Sequence, residues 1–342
     1  MLKMALVLAC FGSLATAKEY KVGDILSDSE GVEYFKARDK RTHQEWPSKK
    51  LSIDDVPNDE RGKIIRYGIE LLTNTEGTLG PKGKLKMTKN EVNCINCHMA
   101  DDNGLPGTKK YVLPFINVIN AYPLLDIETM KIISAQDRVR GMGGTDSHKL
   151  PDDSKEMRAI MEYFKWLKEA YDIKDGVKLQ GEYLAKINFP NRPADPVRGK
   201  EVYEANCVAC HGSDAKGIKN ENYEQGTGHT YPSLLIWPDG GHMSLLPVIT
   251  RFLISSMPLG ASADMPLLTP DDALDVSAYL NTGFVRMPIV TTENRAGLDT
   301  AYSKSPSLKP EYFASLQQIL NPAEYIKVKY GPWKNPNYFP GE

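Results

Sequence analysis

The chain has 342 residues, of which 42 are Lys or Arg and 44 are Asp or Glu, for a formal charge of −2; 41% are hydrophobic. This balance lacks the basic excess with which proteins grip nucleic acid or anionic membrane surfaces, so neither is an expected partner. Small molecules and other proteins remain.

At the N-terminus Lys3 is followed by the apolar run Met4 to Phe11 and then by Ala15-Thr16-Ala17, a small-x-small ending. This order predicts a secretory signal peptide over residues 1–17 and an exported, periplasmic protein. Val7-Leu8-Ala9-Cys10 also suits lipid attachment at Cys10. No later segment approaches the roughly 18 apolar residues that span a bilayer, so no transmembrane segment is expected. What remains is enough for two core-forming domains of about 150 residues each.

The body of the chain divides into two similar units. The first, residues 18–172, opens with Arg61-Gly62-Lys63 ahead of the amphipathic positions Ile65, Tyr67, Leu71 and Leu72. It closes with the helical pattern Met157-Ile160-Met161-Tyr163-Phe164-Leu167, started by Asp152-Asp153-Ser154, with Glu156 placed near the positive helix end. Residues 173–196, with Pro190, Pro193 and Pro196, read as a linker. The second unit, residues 197–284, opens with Arg198-Gly199-Lys200 and Val202-Tyr203-Ala205. It closes with Leu274-Val276-Ala278-Tyr279-Leu280, where Thr269, Pro270 and Asp272 spell a capped start. Residues 285–342, rich in Pro and aromatics, suit a strap packed over the domains.

The mature chain has four cysteines, in the two segments Cys94-Ile95-Asn96-Cys97-His98 and Cys207-Val208-Ala209-Cys210-His211. C-x-x-C-H is the attachment pattern of a c-type haem: the thiols add to the vinyl groups and the histidine reaches the iron. A thioredoxin-like site wants one pair in a βαβ pattern, and a four-cysteine zinc site wants its pairs about 15–20 residues apart, so neither fits as well. The motifs lie 113 residues apart and Tyr163 and Tyr279 lie 116 apart, as a duplication would leave them. A porphyrin in each unit also supplies the apolar core that the long irregular stretch from Gly212 to Gly241 otherwise lacks.

Such irons often take a methionine on the second face. In the second unit Met257, in Met257-Pro258-Leu259-Gly260, follows its histidine by 46 residues; Met265, His229 and His242 are the rivals. In the first, Met142 follows His98 by 44 residues, with His148 as the alternative. Met99, beside His98, reads as packing.

The order Cys94-x-x-Cys97-His98, Arg138-Val139-x-Gly141, Asp153-Ser154-Lys155-Glu156-Met157, Cys207-x-x-Cys210-His211 and Met257-Pro258-Leu259-Gly260 resembles the dihaem thiosulfate dehydrogenases. The resemblance implies a mainly α fold of two tandem cytochrome c domains. It also implies joining of thiosulfate into tetrathionate, or the reverse, at the first haem. The family places a haem-ligating cysteine where this chain has Met142, and all four mature cysteines are used in haem attachment. The expectation is therefore electron transfer between periplasmic redox partners through two covalently bound haems with His/Met ligands: His98 and Met142, His211 and Met257. A thiosulfate dehydrogenase or tetrathionate reductase acting on a small sulfur oxyanion is the alternative, and a haem-based sensor or docked subunit is a third. Arg138 matches the family arginine that holds the anion, and reads otherwise as a partner of a haem propionate or a surface group. No catalytic residue is assigned.

Overall fold

The computed structural model describes residues 25–27, 33–35, 42–126, 131–142, 149–235, 243, 246–282, 331–332 and 337. The expected signal peptide with Cys10, the rival ligands His148 and His242, and most of the expected strap lie outside them. Among the described residues six helices have seven residues or more: α1 (Glu60–Thr73), α2 (Ala135–Gly141), α3 (Lys155–Ala170), α4 (Pro196–Asn206), α5 (Leu246–Ser256) and α6 (Pro270–Thr282). Strands among the described residues form four two-stranded pairs of two or three residues each. The fold is mainly α. No described helix is long and apolar enough to cross a membrane.

In the first unit α1 crosses α3. Asp59 accepts from the Gly62 amide at 2.8 Å to start α1, and Ser154 accepts from the Met157 amide at 3.1 Å to start α3. The expected α3 face is the buried one: Met157, Ile160, Met161, Tyr163, Phe164 and Leu167, joined by Trp166. They meet Ile65, Leu71 and Leu72 in one core. Full burial of each such side chain is worth about 1.5–3 kcal/mol.

In the second unit α4 crosses α6, with Asp195 capping α4 ahead of Pro196 and Thr269 capping α6. A Cβ on Gly199 would stand 1.9 Å from the Asp275 carbonyl oxygen, so only glycine allows this crossing. Its counterpart in the first unit is Gly68, whose Cβ would stand 2.3 Å from the Ala159 carbonyl oxygen. Ala159 and Tyr163 face Gly68 as Asp275 and Tyr279 face Gly199. Tyr163 and Tyr279, 116 residues apart, thus hold matching places beside the two crossings. Gly62 packs instead on the carbonyl of Pro57, and the Arg-Gly-Lys triplets do not correspond.

Helix α5 has no counterpart among the expected elements. It is buried at ten of its eleven positions, Leu246 to Phe252 and Ile254 to Ser256, so it shows no amphipathic stripe. Its Arg251, with no exposed surface, donates to the carbonyls of Ala185 at 2.8 Å and Leu184 at 2.5 Å. The 173–196 segment is thereby held inside the molecule: Ile173, Val177, Leu179, Leu184 and Ala185 are buried. Its Ile187 backbone is also clasped on both sides by Asn337.

The two units are in contact. Val112, Leu184, Val248 and Phe252 form a shared cluster, with Met99 packed against it as expected. Lys109 donates to the Ala261 carbonyl at 2.7 Å, Lys82 pairs with Glu224 at 2.8 Å, and Glu76 meets His229 at 2.8 Å.

Asp275 has no exposed surface and is fully compensated. Arg192 grips both of its oxygens at 2.8 Å, Arg198 adds a contact at 2.6 Å and the Asp195 amide one at 2.8 Å. Burial opposes its charge, yet these donors hold the carboxyl below the usual carboxylate range. Asp275→Ala removes the carboxylate shared by Arg192 and Arg198, which keep Asp271 and Asp272 as partners, and we expect it to cost about 1–3 kcal/mol in denaturant-induced unfolding.

Candidate functional site

The first C-x-x-C-H segment is a tight turn, Cys94–Asn96, closed by Asn93 and Asn96, each side chain bonding the other's backbone. The Cys94 amide donates to Thr75 Oγ1 at 3.1 Å, which fastens the turn to the end of α1. His98 Nδ1 lies 2.6 Å from the Leu113 carbonyl oxygen. A carbonyl only accepts, so Nδ1 carries the proton and Nε2 carries the lone pair. The ring stacks on Phe115 with centroids 4.4 Å apart, and Phe115 leans on Phe164 of α3 at 4.6 Å.

The loop that delivers this carbonyl is strained. Leu113 has φ of 50° and Tyr111 has φ of 63°, a region that bulky side chains rarely enter. Gly107, at φ of 71°, leaves room for Phe115, which a Cβ there would strike at 2.2 Å. Tyr163 donates to the Pro106 carbonyl at 2.7 Å and ties the same loop to α3.

The second segment forms a one-turn helix, Val208–His211, ended by Gly212 at φ of 73°. His211 Nδ1 lies 3.0 Å from the Pro232 carbonyl oxygen, so its Nε2 also carries the lone pair. Tyr203 of α4 donates to the Gly212 carbonyl at 2.6 Å. Burial pushes both imidazoles below their usual pKa, against the opposing backbone bond, and keeps them neutral. It pushes the thiols the other way, Cys94 upward and Cys207 up to about 11.

Among the described residues no group of three or more His, Cys, Asp or Glu side chains is placed to hold a metal ion, so the two pairs are not gathered into one four-cysteine site. Each unit instead presents two thiols and one imidazole lone pair. That donor set fits a haem joined by two thioethers and one axial nitrogen.

Met142 ends α2, half-buried; its carbonyl accepts from Asn90 Nδ2 at 3.2 Å. Met257 follows the last turn of α5 and is also half-buried, whereas Met265 is 70% exposed. The His229 side chain is 3% exposed, and its Nδ1 is bonded to the buried Glu76. Arg138 lies on α2 with its Nε on the Tyr122 hydroxyl at 3.0 Å. Arg140, one turn away, pairs with Asp137 and Asp152. Leu113, Phe115 and the Glu76–His229 contact were not legible as site residues. The one available signal for Leu113 and Phe115 was their position after the first motif.

Residues 196–283 match the model of the cytochrome c family. Over 229 residues the chain is 27% identical to a thiosulfate dehydrogenase of Psychrobacter arcticus, covering 66% of this chain and 64% of that one. Over 235 residues it is 27% identical to a thiosulfate dehydrogenase of Stutzerimonas stutzeri, covering 67% and 69%. The chain thus contains a cytochrome c domain and is similar over about two thirds of its length to thiosulfate dehydrogenases. Its cofactor is covalent haem c. In fold it is similar to the thiosulfate dehydrogenase TsdBA of Marichromatium purpuratum, with a TM-score of 0.57 at 24% identity over 69% of this chain and 48% of that one. The cytochrome thus spans under two thirds of the Psychrobacter relative's length and about half of the TsdBA chain.

Phe115→Ala removes the plate under the His98 ring. We expect a loss of about 3–5 kcal/mol in unfolding free energy and a less ordered imidazole, read by thermal denaturation and by the haem absorption spectrum.

Proposed function

We propose that this cytochrome is exported to the periplasm and carries two haems, one on Cys94, Cys97 and His98, the other on Cys207, Cys210 and His211. Residues 18–172 and 197–284 are the two haem domains, 173–196 joins them, and 285–342 is the strap. What carries this reading is the twofold construction. In each unit a C-x-x-C turn is followed by an imidazole whose Nδ1 is occupied by a backbone carbonyl from the next loop, Leu113 in one and Pro232 in the other. The carbonyl holds the ring by its far nitrogen and raises the basicity of Nε2, as for histidines that ligate metals.

Met142 and Met257 supply the second ligands. Both are half-buried at helix ends, and the 70% exposure of Met265 disfavours that rival. A haem with this His/Met set supplies one-electron iron(III)/iron(II) chemistry at raised potential. The protein's residues do the rest: they fix the ring, exclude water and keep the metal ligands neutral. The function is electron transfer between periplasmic redox proteins.

A second reading is supported by the names of the relatives, that the protein oxidises thiosulfate or reduces tetrathionate at the first haem, with Arg138 meeting the anion. Met142 argues against it, because a neutral thioether replaces the thiolate that the resemblance places there. Mass spectrometry of the secreted protein should show the added mass of two haems, and the near-infrared spectrum of the oxidised protein should show methionine–iron charge transfer. Met142→Cys should shift the spectrum of the first haem strongly; no shift would remove Met142 from the ligand set. Turnover of thiosulfate with ferricyanide by the unaltered protein would establish the second reading.

A further inference from the structure

Between the two motifs lies a titratable pair that neither haem site uses. Glu76 and His229 have side chains only 5% and 3% exposed, and Glu76 Oε2 lies 2.8 Å from His229 Nδ1. The other carboxylate oxygen, Glu76 Oε1, is buried and has no hydrogen-bond partner among the described residues. A buried carboxylate with one oxygen unpaired is costly, and protonation of that oxygen relieves the cost. Burial raises the carboxyl above its usual range despite the opposing pull of His229.

The carboxyl is fixed close to the first attachment turn. The Glu76 amide donates to Asn93 Oδ1 at 2.8 Å, and neighbouring Thr75 accepts from the Cys94 amide at 3.1 Å. On the other side it is pressed by the second unit. A Cβ on Gly228, which sits at φ of 70°, would come 2.9 Å from Glu76 Cβ and Oε2. The remaining charged and titratable groups around the pair are Glu91, Tyr223, Lys82, Lys219 and Glu224. Glu91 raises the Glu76 carboxyl and bonds the Tyr223 hydroxyl. The Tyr223 ring stands edge-on to His229 at 4.9 Å. Lys82 and Lys219 lie over the Tyr223 ring at 3.8 and 3.9 Å, and Lys82 is paired with Glu224. Their charges are thus spent at the rim, and Glu91 adds to the negative charge that the pair must bear.

We propose that Glu76 is a redox-linked proton site: its Oε1 takes up one proton from solvent when the haem on Cys94 gains one electron from a redox partner, and returns it when that electron leaves. The inference rests on the haem assignment of the first motif. Ionised, Glu76 places one negative charge on the pair, and protonation of Oε1 removes it. An added electron nearby, acting through an interior that screens charge weakly, disfavours the charged form. By linkage, the reduced state binds more protons, so the potential of the first haem falls as pH rises.

The test is spectroelectrochemical titration of the haem-loaded protein from about pH 5 to 8, with haem content counted by mass spectrometry beforehand. The first haem's midpoint should fall by up to about 59 mV per pH unit, the one-electron equivalent of a tenfold change in proton activity. E76Q, which cannot bind the proton, should remove that slope. In the unaltered protein, the reduced-minus-oxidised infrared spectrum should gain a protonated-carboxyl C=O band, a readout that survives if E76Q does not fold. A flat potential, a slope retained in E76Q, or absence of the band would overturn the proposal while leaving the haem assignment standing. A chain with no haem on Cys94 and Cys97 would overturn both.

Discussion

Each half of the molecule is organised around one hydrogen bond, from the imidazole that follows the C-x-x-C pair to a carbonyl in the next loop. An imidazole on a short turn has two free torsions, and a metal ligand must lose both. The chain fixes the ring by its far nitrogen, and the loops pay for the placement of the acceptor. Leu113 adopts a left-handed backbone to turn its carbonyl inward. Gly217, in the second unit, sits where a Cβ would strike the Tyr231 carbonyl at 2.2 Å, so that the hairpin bearing Pro232 can close over His211. Nearby tyrosines, Tyr163 and Tyr203, then tie these loops back to a helix through buried or half-buried hydroxyls.

The helices serve as the frame for those loops, and a glycine sets their separation in each unit. Gly68 against Ala159 and Gly199 against Asp275 allow backbone-to-backbone approach, which puts the aromatic of the facing helix, Tyr163 or Tyr279, beside the crossing. From the crossing glycine to the first motif cysteine is 26 residues in the first unit and 8 in the second. The additional chain in the first unit makes the Thr75–Thr78 turn and the segment to Asn93, and this is the material that reaches the second unit through Glu76 and Lys82. A divergence between two copies of one unit has therefore become the contact between them.

Much of this frame was legible because it is written locally. Ser154 and Thr269 are capping residues three positions ahead of the amides they serve, and the α3 stripe repeats at helical spacing, so short windows of sequence suffice. The C-x-x-C-H segments are equally local. The crossing glycine of the first unit was not legible, because it is defined by what lies opposite it, about 90 residues away. Helix α5 was missed for the reason that it is buried all round and has no polar face to give it a period. Arg251 reads in sequence as a surface cation, and only the carbonyls of Leu184 and Ala185 explain its burial.

The chemistry open to the first unit follows from charge as much as from ligand identity. A thiolate brings a negative charge to iron and stabilises the oxidised metal; a thioether brings none, so reduction is easier and the iron suits a carrier of single electrons. An oxyanion substrate needs positive charge that is not already committed. On α2, Arg140 is neutralised by Asp137 and Asp152, and the Nε of Arg138 is directed at the Tyr122 hydroxyl. Binding thiosulfate there would require those contacts to be exchanged for contacts with the anion, at the cost of the carboxylates left behind. The same helix end thus holds a neutral sulfur and an Arg140 compensated by two carboxylates, and both features lower the attraction for a dianion.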